Sequence, residues 1–93
     1  MQLAVLGLNH KTAPVAVREK FNFPNERACA VLRRLRNYEY ISEAMLLSTC
    51  NRTELYMVLD NAAEAVPFIK RLVQHWAGAD YESEYFYNLS GTL

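Results

Sequence analysis

The chain has 93 residues, 52% hydrophobic and 22% charged, with ten Lys and Arg balancing ten Asp and Glu. That length fits one domain around one core; the apolar content is too high and the net charge too low for disorder, and neutrality argues against strong non-specific nucleic-acid binding. No apolar run reaches the roughly 18 residues of a membrane helix, and two cysteines cannot supply a secreted-type disulfide framework.

Residues 2–8 (QLAVLGL) are apolar on both faces and rich in Val and Leu, which predicts a central strand. Residues 9–13 (NHKTA) read as a polar loop, and Pro14 opens a helical turn over 15–20. Phe21 and Phe23 are candidate core anchors. Pro24 and Glu26 mark the start of a helix over about 24–37, with Ala28, Val31, Leu32 and Leu35 at helical spacing and Arg33, Arg34 and Arg36 in its last turn. Cys29, near that apolar stripe, is expected to behave as a small buried hydrophobe.

Residues 43–49 (EAMLLST) predict a buried strand. Residues 52–60 alternate, with Arg52, Glu54, Tyr56 and Val58 on one face and Thr53, Leu55, Met57 and Leu59 on the other. Cys50-Asn51 between them makes a hairpin tip, and Asn tolerates the left-handed conformation tight hairpins use. Asn61 and Glu64 form a capping box for a helix whose apolar face is Ala65, Val66, Ile69, Leu72, Val73 and Trp76. Pro67 must fall in its first turn or kink it, and Gly78 ends it. Residues 83–89 (SEYFYNL) predict a last strand, and Tyr81, Tyr85, Phe86 and Tyr87 fit a half-buried edge better than a stacking platform. The order is strand, helix, strand, strand, helix, strand. This predicts an α+β, ferredoxin-like split βαβ fold: a four-stranded antiparallel sheet with the helices on one face. In that topology the first two strands run the same way, so His10 comes to the same sheet end as Cys50.

The stretch Ser48-Thr49-Cys50-Asn51-Arg52-Thr53-Glu54 carries the chemistry. A thiol at an exposed tip beside a guanidinium is expected to favour thiolate. Thr49 and Asn51 can donate to a carbonyl oxygen, and Arg52 can clamp a carboxylate. The same residues also make an ordinary polar hairpin with an incidental cysteine. His10 is a candidate base or orienting group, with a backbone-bonded loop histidine as the plainer alternative. No metal site is expected: there is no CxxC, HxxxH or HExxH, and His10 and His75 are far apart in sequence. Gly7, Gly78 and Gly91 are the only glycines, so neither a GxGxxG fingerprint nor a P-loop can be written.

Gly7-Leu8-Asn9-His10-Lys11-Thr12-Ala13-Pro14, followed by Ser48-Thr49-Cys50-Asn51-Arg52-Thr53-Glu54-Leu55-Tyr56, resembles the N-terminal catalytic domain of the glutamyl-tRNA reductases, over essentially all 93 residues. The resemblance implies that Cys50 attacks the activated α-carboxyl of glutamyl-tRNA, forms a thioester and releases tRNA. NADPH then yields glutamate-1-semialdehyde, opening tetrapyrrole and 5-aminolevulinate synthesis by the five-carbon route. It implies that Thr49, Asn51 and Arg52 line the glutamyl site, with His10, Ser48 and Glu54 as accessory candidates.

It further implies a cytoplasmic enzyme, homodimeric at full length, with glutamate-1-semialdehyde aminomutase as a possible partner. In that reading residues 1–93 are a truncated catalytic domain, without the NADPH-binding and dimerisation domains, expected to be monomeric and unable to complete the reduction. The competing classes are a non-catalytic ferredoxin-like module for a ligand or RNA, and a thiol hydrolase using His10 as base. Residues 52–59 (RTELYMVL) lack the aromatic pattern of an RNA-recognition strand.

Overall fold

A computed structural model describes residues 1–78 and 85–92. The elements are β1 (Gln2–Asn9), α1 (Val15–Lys20), α2 (Asn25–Leu35), β2 (Ile41–Ser48), β3 (Arg52–Leu59), α3 (Ala62–Ala77) and β4 (Tyr87–Thr92). The strands lie in the order β2-β3-β1-β4, and each neighbouring pair is antiparallel. This is the expected split βαβ sheet. β1 is internal, as expected, paired through both edges, with Ala4, Leu6 and Leu8 on its buried face and Leu3 on the other.

One sheet face carries the core. Ala4, Leu6 and Leu8 of β1 and Leu55, Met57 and Leu59 of β3 meet Val31 and Leu35 of α2 and Ile69 and Val73 of α3. Phe21 and Phe23, in the α1–α2 connection, are buried as expected. The opposite face is open and partly apolar: Leu3, Met45 and Leu89 are exposed large hydrophobics.

Local signals explain α3. Asn61 Oδ1 accepts the Glu64 N–H at 3.3 Å, and Gly78 closes the helix at φ 69°, left-handed backbone that favours glycine. Pro67 is neither in the first turn nor at an end; it is the sixth helical residue, so one main-chain bond is forgone inside the helix. Among the described residues no helix is long and apolar enough to cross a membrane.

Three expectations are corrected. β2 is an edge strand in which only Ile41 is buried, not the buried strand expected over 43–49, because it pairs on one side alone and one face of the sheet is open. The last strand runs Tyr87–Thr92, not 83–89, whose first two residues lie outside those described, as does Tyr81. Tyr85 and Phe86 lead into the strand and pack against the core, where Phe86 meets Phe21 edge-on, centroids 5.3 Å apart. Pairing with β1 (Gly7 opposite Tyr87, Gln2 opposite Thr92) is what makes the polar NLSGT segment a strand. Cys29 is exposed, because the stripe through Ala28, Val31, Leu32 and Leu35 leaves it one helical step outside.

Candidate active site

Three segments meet at one end of the sheet. Asn9, the last residue of β1, pairs with Arg52, the first of β3, and β2 ends alongside at Ser48. The loop after β1 is built on Asn9, whose Oδ1 accepts the N–H of Lys11 at 2.9 Å and of Thr12 at 3.1 Å. Thr12 Oγ1 in turn accepts the Asn9 N–H at 3.0 Å, and Arg18 Nη1 donates to the Ala13 carbonyl at 3.1 Å. This is an Asx-type turn, stabilised by the side chain rather than by a glycine. It brings exposed His10 to the end that carries Cys50, as the topology required.

The hairpin is closed by the Thr49 N–H donating to the Arg52 carbonyl at 2.7 Å. Thr49 Oγ1 accepts the N–H groups of both Asn51 and Arg52, each at 3.2 Å. The tip therefore needs no left-handed residue, contrary to the expectation for Asn51: no described non-glycine residue has positive φ. Cys50 crowns this turn with its thiol exposed. Ser48 faces away from the crown. Its hydroxyl accepts the Phe23 N–H at 2.9 Å and donates to Asn22 Oδ1 at 3.2 Å, while Thr53 Oγ1 donates to the Phe21 carbonyl at 2.8 Å. These bonds fix the hairpin base to the α1–α2 connection. Ser48 and Thr53 thus hold the hairpin, Thr49 shapes its tip, and Cys50 and Asn51 stand in solvent.

Arg52 and Glu54 point to the open face. Glu54 is 8% exposed although it faces away from the core. It accepts the Tyr56 hydroxyl at 2.9 Å and, through its other oxygen, the Tyr87 hydroxyl in a short bond. Arg52 Nε lies 3.7 Å from Glu54 Oε1, and the Arg52 side chain is 54% exposed, so much of the guanidinium stays open to a ligand. Gly7, across from Glu54 on β1, leaves room for this cluster: a Cβ there would lie 2.9 Å from Glu54 Cγ and 3.1 Å from the Tyr87 hydroxyl. Tyr56, Tyr87, Asn9 and Gly7 were not singled out as site residues from sequence. The alternation of β3 put Tyr56 beside Glu54, but Tyr87 needed the register of β4.

The cluster sets the tyrosine titrations. The hydrogen bond to Glu54, with lesser burial and charge effects, raises Tyr56 above the usual 10.0. Burial, then the bond to Glu54 and its charge, push Tyr87 up to about 12, against an opposing hydrogen bond from Asn9. Because folding raises this pKa, the stabilisation is complete below pH 10.0 and is lost as pH rises toward about 12. The stability difference between the parent and Tyr87→Phe should therefore be constant up to pH 10.0 and shrink above it. Chemical denaturation of both proteins across that range checks this, and a difference independent of pH would refute it.

Residues 6–92 match the family model described as "Glutamyl-tRNAGlu reductase, N-terminal domain". The chain belongs to this family. It is 42% identical over 82 residues to a glutamyl-tRNA reductase of Brevibacillus brevis and 43% identical over 82 residues to one of Exiguobacterium sp., covering 88% of this chain and 18% of each relative. A glutamyl-tRNA reductase of Synechococcus elongatus is 53% identical over 58 residues, 62% of this chain and 13% of the relative. The chain thus spans under a fifth of the length of the relatives it matches. Those relatives carry the name of an enzyme, an oxidoreductase, and the family match covers both the loop of His10 and the hairpin of Cys50.

Proposed function

We propose that this chain is the acyl-capturing part of a glutamyl-tRNA reductase, with Cys50 as nucleophile. The Cys50 sulfur, as thiolate, attacks the ester carbonyl that joins glutamate to the tRNA 3′ end. A C–S bond forms and the C–O bond to ribose breaks. The thiol proton ends on the departing ribose oxygen, leaving a glutamyl thioester. A thioester suits a reductase, because its carbonyl is more electrophilic than the ester it replaces. The product of the whole enzyme in this reading is glutamate-1-semialdehyde, the entry to 5-aminolevulinate and tetrapyrroles.

One observation carries the proposal: an exposed thiol at the crown of a turn locked by Thr49, at the sheet end where Arg52 is tied to Glu54, in a chain of this family. Arg52 is the group to receive the glutamyl side-chain carboxylate, because its fork matches that shape and Glu54 limits its rotamers. Asn51 offers an amide at the tip for the reacting carbonyl. Thr49, whose oxygen accepts two backbone N–H groups, acts mainly by holding the crown in shape. His10 stands exposed on the loop after β1 at this same sheet end.

NADPH, expected as the reductant, does not fit this chain's residues. Gly7 lies inside β1 with the space above it filled by Glu54 and Tyr87, and the turn after β1 is an Asx turn on Asn9 rather than a glycine-rich phosphate cradle.

The test is acyl capture. The chain is mixed with glutamyl-tRNA without nicotinamide, quenched in acid and examined by mass spectrometry. A glutamyl adduct on Cys50, absent in Cys50→Ala, is the expected result. A persistent adduct in Cys50→Ala, or a parent Cys50 inert even to a small alkylating agent, would overturn the assignment.

A further inference from the structure

At the opposite end of the sheet, where β2 begins and β3 finishes, Tyr38, Tyr40, Asp60, Glu64 and Phe68 line an open groove of about 600 Å³. That volume is in the range of ligand-binding clefts. Tyr38 is its hub: its ring centroid lies 5.7 Å from that of Tyr40, tilted by 37°, and 5.7 Å from that of Phe68, nearly perpendicular at 84°. Among the described residues no Lys, Arg or His lines the groove. Asp60 and Glu64 are exposed, and no ion pair among the described residues engages either.

The contrast with the chain's other aromatics is informative. Phe23 is covered by Arg27 at 5.2 Å, Trp76 by Arg34 at 5.8 Å and Phe86 by Lys70 at 5.7 Å. These rings have a cation from within the fold. Among the described residues, the Tyr38–Tyr40–Phe68 trio has none, and it has two carboxyl groups beside it instead. Ring faces and carboxylates carry the same sign of field, so the groove is a negative patch on a chain whose formal net charge is zero.

We propose that this groove binds an arginine- or lysine-bearing segment of a protein partner, the basic side chain lying against the rings with its charge toward Asp60 and Glu64. A flat guanidinium suits both the ring faces and a carboxylate fork. A single-stranded nucleic acid also stacks on aromatic rings, but its phosphates would face two carboxylates without a basic residue to offset them. The site is remote from Cys50 and does not depend on the role given to that residue.

The test is an NMR titration of the ¹⁵N-labelled chain with a capped Gly-Arg-Gly-Arg-Gly peptide. The Glu counterpart and oligouridylate serve as comparisons. The Arg peptide should shift amides of residues 38–40 and 60–68, and the shifts should weaken with salt. Phe68→Ala, at an exposed ring, should weaken binding roughly two- to fivefold. The double variant Asp60→Asn with Glu64→Gln removes charge without removing shape and should weaken it further. No shift at millimolar Arg peptide, equal affinity in parent and double variant, or equal response to the Glu peptide would overturn the proposal. Preference for oligouridylate would replace it with a nucleic-acid site.

Discussion

Phe21→Ala is expected to cost about 3–5 kcal/mol of stability, the range for deleting a fully buried aromatic ring. Phe21 has no exposed surface and is among the largest fully buried side chains of the chain. Its ring meets the Phe86 edge, and its carbonyl accepts the Thr53 hydroxyl at 2.8 Å. The loss is a large share of the roughly 5–15 kcal/mol that holds a domain together. Urea denaturation should show a lower midpoint with an unchanged slope. Thr53→Val separates packing from hydrogen bonding at the same spot. It keeps the shape and deletes the hydroxyl that donates to the Phe21 carbonyl, at a cost of about 0.5–1.5 kcal/mol. A Phe21→Ala protein no less stable than Thr53→Val would mean that Phe86 collapses into the space and that the ring is not the anchor.

That anchor bears on the site, because the same connection supports the Cys50 hairpin. Ser48 and Thr53 reach from the hairpin base to the backbone of Phe21 and Phe23 and to the side chain of Asn22. Sequence reasoning could see two halves of this and not the join. Phe21 and Phe23 stood out as large apolar residues in a polar stretch, and Ser48 and Thr53 stood out as polar residues flanking a thiol. The join is a contact between residues 25 and 32 positions apart, which no local pattern encodes.

Elements with strong local signals were legible for local reasons. α3 has its box, its stripe and its terminal glycine. β1, a Val- and Leu-rich run, is an internal strand paired on both edges, by β3 and β4. The order of elements then fixed strand directions, and with them the meeting of His10 and Cys50 at one sheet end. β4 was misplaced because its membership of the sheet comes from pairing with β1, whereas the aromatic residues before it have the stronger strand propensity. Glu54 was legible as an outward-facing residue of β3. Its burial was not, since that depends on two tyrosines, one of them on β4, and on a glycine in β1.

Gly7→Ala is the other large effect expected, and it connects the sheet to the chemistry. The backbone at Gly7 does not need positive φ, so alanine is admissible locally. The obstacle is space. The new Cβ would lie 2.8 Å from the Thr53 carbonyl oxygen, a backbone atom in the neighbouring strand that cannot move without spreading β1 from β3. Overpacking of this kind costs about 1–3 kcal/mol. The Cβ also presses on Glu54 and Tyr87, so the Glu54 side chain must shift and Arg52 loses its tether.

Three readouts should move together in Gly7→Ala. Stability falls, the Tyr87 titration drops from about 12 toward 10.0, and glutamyl capture by Cys50 declines while its reaction with a small alkylating agent persists. Two other glycines serve as controls. Gly91→Ala meets nothing within 4 Å and should change none of the three. Gly78→Ala, at φ 69°, should lose about 1 kcal/mol at the end of α3 and leave the tyrosine and the thiol untouched. A Gly7→Ala protein as stable as Gly91→Ala, with Tyr87 titrating as in the parent, would show that the open-face cluster does not depend on that missing Cβ. A loss of stability with unchanged Tyr87 titration and glutamyl capture would confine Gly7 to strand packing and separate the cluster from the reactive tip.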